Sequence, residues 1–95
     1  MKAFWVVRCH VTGKEAYTNY VELAGTAIEK HGGQFLARGG KQIEVEGEGF
    51  ERTVLVEFKS LEQAQACYLS EEYQAAHKVQ EQAAQRLVVM VEGLN

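Results

Sequence analysis

The chain contains no proline. Helix and strand ends must therefore be set by glycine and by side-chain caps rather than by a missing backbone N–H. Cysteine is nearly as scarce, with Cys9 and Cys67 standing far apart and no CxxC spacing. That excludes a disulfide scaffold and a zinc knuckle, and it predicts two small buried core residues in a reducing, cytoplasmic setting. Positive charge is also in short supply. Ten Lys and Arg against thirteen Asp and Glu leave a net charge of −3 and a pI near 5.6. Phosphate backbones and anionic membrane surfaces need the opposite field, so neither nucleic acid nor membrane is an expected partner. No apolar run is long enough to span a bilayer, and the early run from Phe4 to Val7 is broken by Arg8 and His10 before it could act as a secretory signal. His10, His31 and His77 lack HxH or HExxH spacing, and Gly47-Glu48-Gly49 lacks the third glycine of a dinucleotide loop. Neither a metal site nor a cofactor is predicted.

What is present is the composition of an ordinary folded domain, 46% hydrophobic and 24% charged over 95 residues. Residues 1–95 read as one domain, and a chain of this size buries only about 60 to 70 per cent of its unfolded surface. The pattern is organised around Gly32 to Phe58, which reads as a long hairpin interrupted at Gly39-Gly40 and turning near Gly47-Glu48-Gly49. A ladder pairing Ile43 with Val54 puts Ile43, Val45, Val54, Val56 and Phe58 on one face. If both glycines bulge out together, Phe35 and Ala37 keep to that face and Arg38 falls opposite Glu57 on the other.

Before the hairpin, residues 3–11 form a strand that is apolar on both parities, Trp5, Val7 and Cys9 against Phe4 and Val6. Thr12-Gly-Lys-Glu15 matches a capping box, and a helix follows with Tyr17, Tyr20, Leu23, Ala24, Ala27 and Ile28 at helical spacing up to Gly32, its left-handed cap. After the hairpin, Ser60 caps a second helix that turns Leu61, Ala64, Cys67 and Tyr68 inward. Ser70 caps a further amphipathic segment from Glu71 to about Gln85. The last strand, Arg86 to Glu92, is again apolar on both parities. The order is β-α-β-β-α-β, an α+β ferredoxin-like layout: a four-stranded antiparallel sheet with its helices on one face. Four strands about 4.8 Å apart and about 17 Å long leave a bare face on the order of 300 Å² in projection, near the limit for a soluble monomer. The apolar parity on that face predicts a cover, and a second copy of the chain is the simplest one.

Gly32-Gly33-Gln-Phe-Leu-Ala-Arg38-Gly39-Gly40, the Glu46-Gly47 turn, Val56-Glu57-Phe58, Ser70-Glu-Glu-Tyr73 and the closing Val91-Glu92-Gly93 carry a likeness over nearly the whole chain. In these features the sequence resembles the bacterial family known as domain of unknown function 1330. The resemblance implies a homodimeric α+β barrel, two ferredoxin-like subunits packed sheet to sheet, with no established activity. It also implies kinship with cofactor-free monooxygenases, cyclases and isomerases and with stress-responsive proteins. The chain departs from the pattern at Glu71, where a proline is expected, and at Gln80, where similar sequences carry arginine.

The candidate ligand-binding residues are Arg38, Tyr17, Tyr20, Tyr68 and Trp5. Arginine offers a rigid fork for a carboxylate, and tyrosine and tryptophan give a pocket apolar walls with polar tips. Glu57 and His10 are the candidate proton-transfer groups. The plainer reading makes Arg38 and Glu57 an ion pair, within or between subunits, that fixes sheet register, and the aromatic residues core. Three functions follow as expectations: binding of a small, partly apolar organic acid in a pocket between helices and sheet; cofactor-free proton-transfer catalysis; or a purely structural or stress-related dimer whose pocket is filled by its own side chains.

Overall fold

Strict alternation makes β1, Ala3–Val11, the centre of the molecule: Ala3, Trp5, Val7 and Cys9 are all nearly inaccessible, and the residues between them are half-buried. The structure, a computed structural model, describes residues 1–95. It continues with α1 (Lys14–Lys30), β2 (Gln34–Arg38), β3 (Arg52–Phe58), α2 (Leu61–Leu69), α3 (Glu71–Gln80) and β4 (Ala84–Glu92). The strands form one antiparallel sheet in the order β2-β3-β1-β4. The helices cover a single face of it, as the ferredoxin-like reading requires, and the molecule is only 17 Å across its thinnest axis, the depth of two layers.

The core lies between the layers. Trp5 stands at its middle, donating Nε1–H to the Ala64 carbonyl at 3.0 Å and packing against Phe58 and Tyr73 with ring centroids 5.3 and 5.1 Å away. The serine caps are in place: Ser60 Oγ accepts from the Gln63 N–H and Ser70 Oγ from the Tyr73 N–H, so α3 starts well with Glu71 in the first turn. Gly32, at φ 82°, ends α1 in a Schellman motif, with Gly33 N–H on the Ile28 carbonyl and Gly32 N–H on that of Glu29.

The fold corrects several local readings. Thr12 does not cap α1. Gly13, which has no side chain to offer, is the cap residue, and the N–H groups of Thr12 and Gly13 both donate to the Ala83 carbonyl just before β4. Leu23 and Leu61 lie outside the packed stripes, 51% and 38% exposed. The hairpin is shorter than the glycine pattern suggests. A bulge between Phe35 and Ala37 inserts Leu36 as an extra residue, so Ala37 pairs with Leu55 and Arg38 with Val54. One inserted residue inverts the parity beyond it. Arg38 therefore joins Phe35 on the helix side, and no Arg38–Glu57 pair or Ile43–Val54 ladder exists. Glu57 instead faces Lys2 at 3.5 Å on the open side of the sheet.

Residues 39–51 form a loop in which Gly39, Gly47 and Gly49 take positive φ. Side chains tie it down: Glu44 accepts from Arg8 and from the Phe50 N–H, and Gln42 bonds Thr53 and the Phe50 carbonyl. Ile43 and Val45 project from it, each 85% exposed.

Candidate functional site

The site grows out of the sheet register. Arg52 on β3 and Arg86 on β4 both pair directly with Cys9 on β1, so the two arginines flank the cysteine in a row across the helix side of the sheet. Each occupies a position that alternation reserves for an apolar residue, continuing Val54-Val56 in one strand and Val88-Met90 in the other. Arg38 adds a third guanidinium, one step along the sheet opposite Val54. Together with Trp5, Val7, Val54 and Val56 from the sheet and Tyr17 and Tyr20 from α1, these arginines surround a mainly apolar cavity of about 30 Å³. That is room for one or two water molecules.

Above the row, Tyr17 places its hydroxyl 3.3 Å from Cys9 Sγ, with the Arg52 guanidinium 5.7 Å from its ring centre. Arg86 lies 5.0 Å from the Tyr20 ring and donates through Nη2 to the Tyr20 and Tyr73 hydroxyls at 3.1 and 3.2 Å, which are themselves 2.7 Å apart. Arg38 stretches across the mouth. It stacks on Phe35 at 4.1 Å and donates to the Val21 carbonyl at 3.3 Å, against the bare backbone of Gly25, where any Cβ would strike its Nη2.

The charge is unbalanced. None of the three arginines has an acidic partner within 4 Å, every ion pair of the chain lying elsewhere. The Nε atoms of Arg52 and Arg86 are buried with no acceptor. Burial pushes the Tyr17 and Tyr20 phenols up, helped at Tyr17 by the bond to Cys9 and at Tyr20 by the field of Tyr73, so both are neutral at physiological pH. Burial works against the charge of Arg86, but the surrounding tyrosine oxygens outweigh it and the guanidinium stays protonated. His77 is pushed down by burial first and by the charge of Arg86 second.

Of the residues singled out from the sequence, Trp5, Tyr17, Tyr20 and Arg38 come together at this cavity. Tyr68 stands behind it, edge-on to Trp5 at 5.9 Å and against Tyr73 at 5.2 Å, where it supports the wall. Glu57 and His10 lie on the other side of the sheet, paired with Lys2 and with Glu51, the latter at 2.8 Å. Arg52 and Arg86 are the cavity residues that the sequence reading misses. A charged residue on the apolar parity of a strand was the available signal for both arginines.

No curated protein sequence matches this chain. Its fold is shared by solved structures of low sequence identity. A protein of unknown function from Rhodopseudomonas palustris superposes with a TM-score of 0.80 at 18% identity, over 99% of this chain and 83% of that one. A dimeric ferredoxin-like protein of unknown function from Jannaschia sp. CCS1 gives 0.74 at 16% identity, over 98% and 100%. SnoaB, a cofactor-independent oxygenase from Streptomyces nogalater, gives 0.69 at 4% identity, over 99% and 94%. The family model described as a domain of unknown function (DUF1330) matches residues 2–94, and the chain belongs to that family.

Proposed function

We propose that each subunit binds a small, partly apolar organic acid in the cavity between α1 and the sheet. One observation carries this reading: three guanidinium groups converge on an apolar cavity in an acidic protein, with no carboxylate among them and two buried Nε donors unpartnered. An unpaired buried cation is costly, and a ligand carboxylate is the missing partner. Arg38 controls entry. Its side chain lies across the mouth, stacked on Phe35 with one hydrogen bond to the Val21 carbonyl, so anything larger than water enters only when it moves aside.

Cofactor-free proton-transfer catalysis finds less support, although one protein of similar fold, SnoaB, is a cofactor-independent oxygenase. Glu57 and His10 lie across the sheet, and the phenols at the cavity are too weakly acidic to serve as bases at neutral pH. The purely structural reading leaves the unpartnered arginine donors without a purpose.

The same proposal includes a homodimer formed through the open sheet face, in keeping with dimeric relatives of this fold. Leu87, Val89 and Val91 form an apolar row on β4 with half of their surface exposed, and Leu36 extends it at the other edge. Burying on the order of 300 Å² per subunit gives several kcal/mol, against an association cost of roughly 4 to 15 kcal/mol. Ile43 and Val45 on the loop supply the additional area. No helix is long and apolar enough to cross a membrane, and two free buried cysteines fit a cytoplasmic location.

Calorimetric titration with butanoate, hexanoate and benzoate, each against its primary amide, tests the binding. The acids bind and the amides do not, and the Arg52→Gln, Arg86→Gln double variant weakens the acids at least tenfold. Equal binding of acid and amide, or none of either, removes the proposal.

A further inference from the structure

The arginines differ in how much their charge is left uncompensated. Arg38 is exposed, and water screens it. Arg52 and Arg86 are half-buried, each with a buried Nε lacking an acceptor. Both pair with Cys9 from opposite sides, so their Cα atoms stand two strand spacings apart, about 10 Å. The tyrosines of α1 stand between them. Arg52 lies beside the Tyr17 ring and Arg86 beside the Tyr20 ring, and the two rings are 5.1 Å apart. Arg86 has neutral phenols for company and Arg52 has the Tyr17 ring, so neither cation is neutralised within the chain.

A single carboxylate can neutralise only one of the two cations in such an arrangement. If it pairs with Arg52, Arg86 stays buried and unpaired, and the reverse holds equally. Two separated cations across an apolar floor of Val7, Val54 and Val56 match a ligand with an acid group at each end and a short hydrocarbon spacer between them. Resting on the organic-acid reading, we infer that the ligand is a dianion, a short-chain dicarboxylic acid whose two carboxylates engage Arg52 and Arg86 on either side of Cys9. Tyr17 and Tyr20 serve as neutral hydrogen-bonding groups along the spacer, where an ether, keto or hydroxyl substituent would be read.

The test compares acids of equal carbon number on the unmodified dimer or monomer as it purifies: succinate with butanoate, glutarate with pentanoate and adipate with hexanoate, by calorimetric titration at low and moderate salt. A second charge-assisted hydrogen-bonded pair is expected to tighten binding roughly 10- to 100-fold for the best-fitting diacid. Arg52→Gln and Arg86→Gln each reduce that diacid to the affinity of its monoacid. If monoacids and diacids bind equally well, the dianion inference is overturned and the organic-acid reading stands. If neither series binds, both fall. The comparison on the unsubstituted protein decides the matter even where a variant fails to fold.

Discussion

Tyr73→Phe removes one oxygen from a place where nothing can replace it. The ring is fully buried, and its hydroxyl lies 2.7 Å from that of Tyr20 and 3.2 Å from Arg86 Nη2. The substitution deletes a neutral hydrogen bond of about 1 kcal/mol and one from a charged donor of about 1.5 to 3 kcal/mol. Arg86 keeps its 3.1 Å bond to Tyr20, so the lower part of the summed range applies, about 2.5 to 3 kcal/mol. That is a large share of the roughly 5 to 15 kcal/mol that holds a domain of this kind, and it lowers the melting midpoint by on the order of 10 °C or more. Urea denaturation at one fixed protein concentration measures it, because association shifts the midpoint. The control is Tyr68→Phe. The Tyr68 ring packs 5.2 Å from Tyr73, but its hydroxyl takes no part in the network, and the change is expected to stay within about 0.5 kcal/mol. Equal losses for the two variants would refute the reasoning that buried phenol oxygens hold Arg86 in place.

Alkaline stability follows from the same phenols. Burial keeps Tyr17 and Tyr20 protonated in the folded state above their ordinary value of 10.0, where the unfolded chain has already lost those protons. Stability therefore falls as pH rises past 10, by about 1.4 kcal/mol per pH unit per group, and Tyr20→Phe makes the fall shallower; a flat profile from pH 9 to 11 would contradict this. At the acid end, hydrogen bonds from His10 to Glu51 and from Lys30 to Glu72 hold both carboxyls near about 2, so their contribution is present above 4.5 and disappears as pH drops toward 2. Denaturation from pH 5 to 2 should show a gentler acid slope in the Glu51→Gln, Glu72→Gln double variant. Val89→Glu, in the middle of the exposed β4 row, converts the proposed dimer to a monomer in sedimentation experiments; an intact dimer would place the interface elsewhere. Gly39→Ala forces a Cβ onto the Arg52 guanidinium at φ +73° and costs about 1 to 3 kcal/mol in urea denaturation, whereas Gly40→Ala, with open space around it, costs less than about 0.5 kcal/mol.

Local chemistry was legible in the sequence wherever neighbouring residues decide the outcome. Ser60 and Ser70 cap their helices because their hydroxyls reach N–H groups three residues on, and Gly32 ends α1 because its backbone turns left-handed at no steric cost. The double apolar parity of β1 and β4 determined that one sheet face would be buried under helices and the other left bare. From this the ferredoxin-like architecture and the need for a cover both followed. Three residues that line the cavity, Trp5, Tyr17 and Tyr20, were legible as inward-facing, because large aromatic residues on inward helix and strand positions have few other places to go.

What only the tertiary structure decided is the face of each residue beyond an irregularity and the alignment of strands distant in sequence. Leu36 is one extra residue in β2, and since side chains alternate with period two, it sent Arg38 to the helix side and left Glu57 to Lys2 on the other. Arg52 and Arg86 stand far apart in the chain. They become a pair only because antiparallel pairing brings both opposite Cys9, on a face where no carboxylate was placed to meet them.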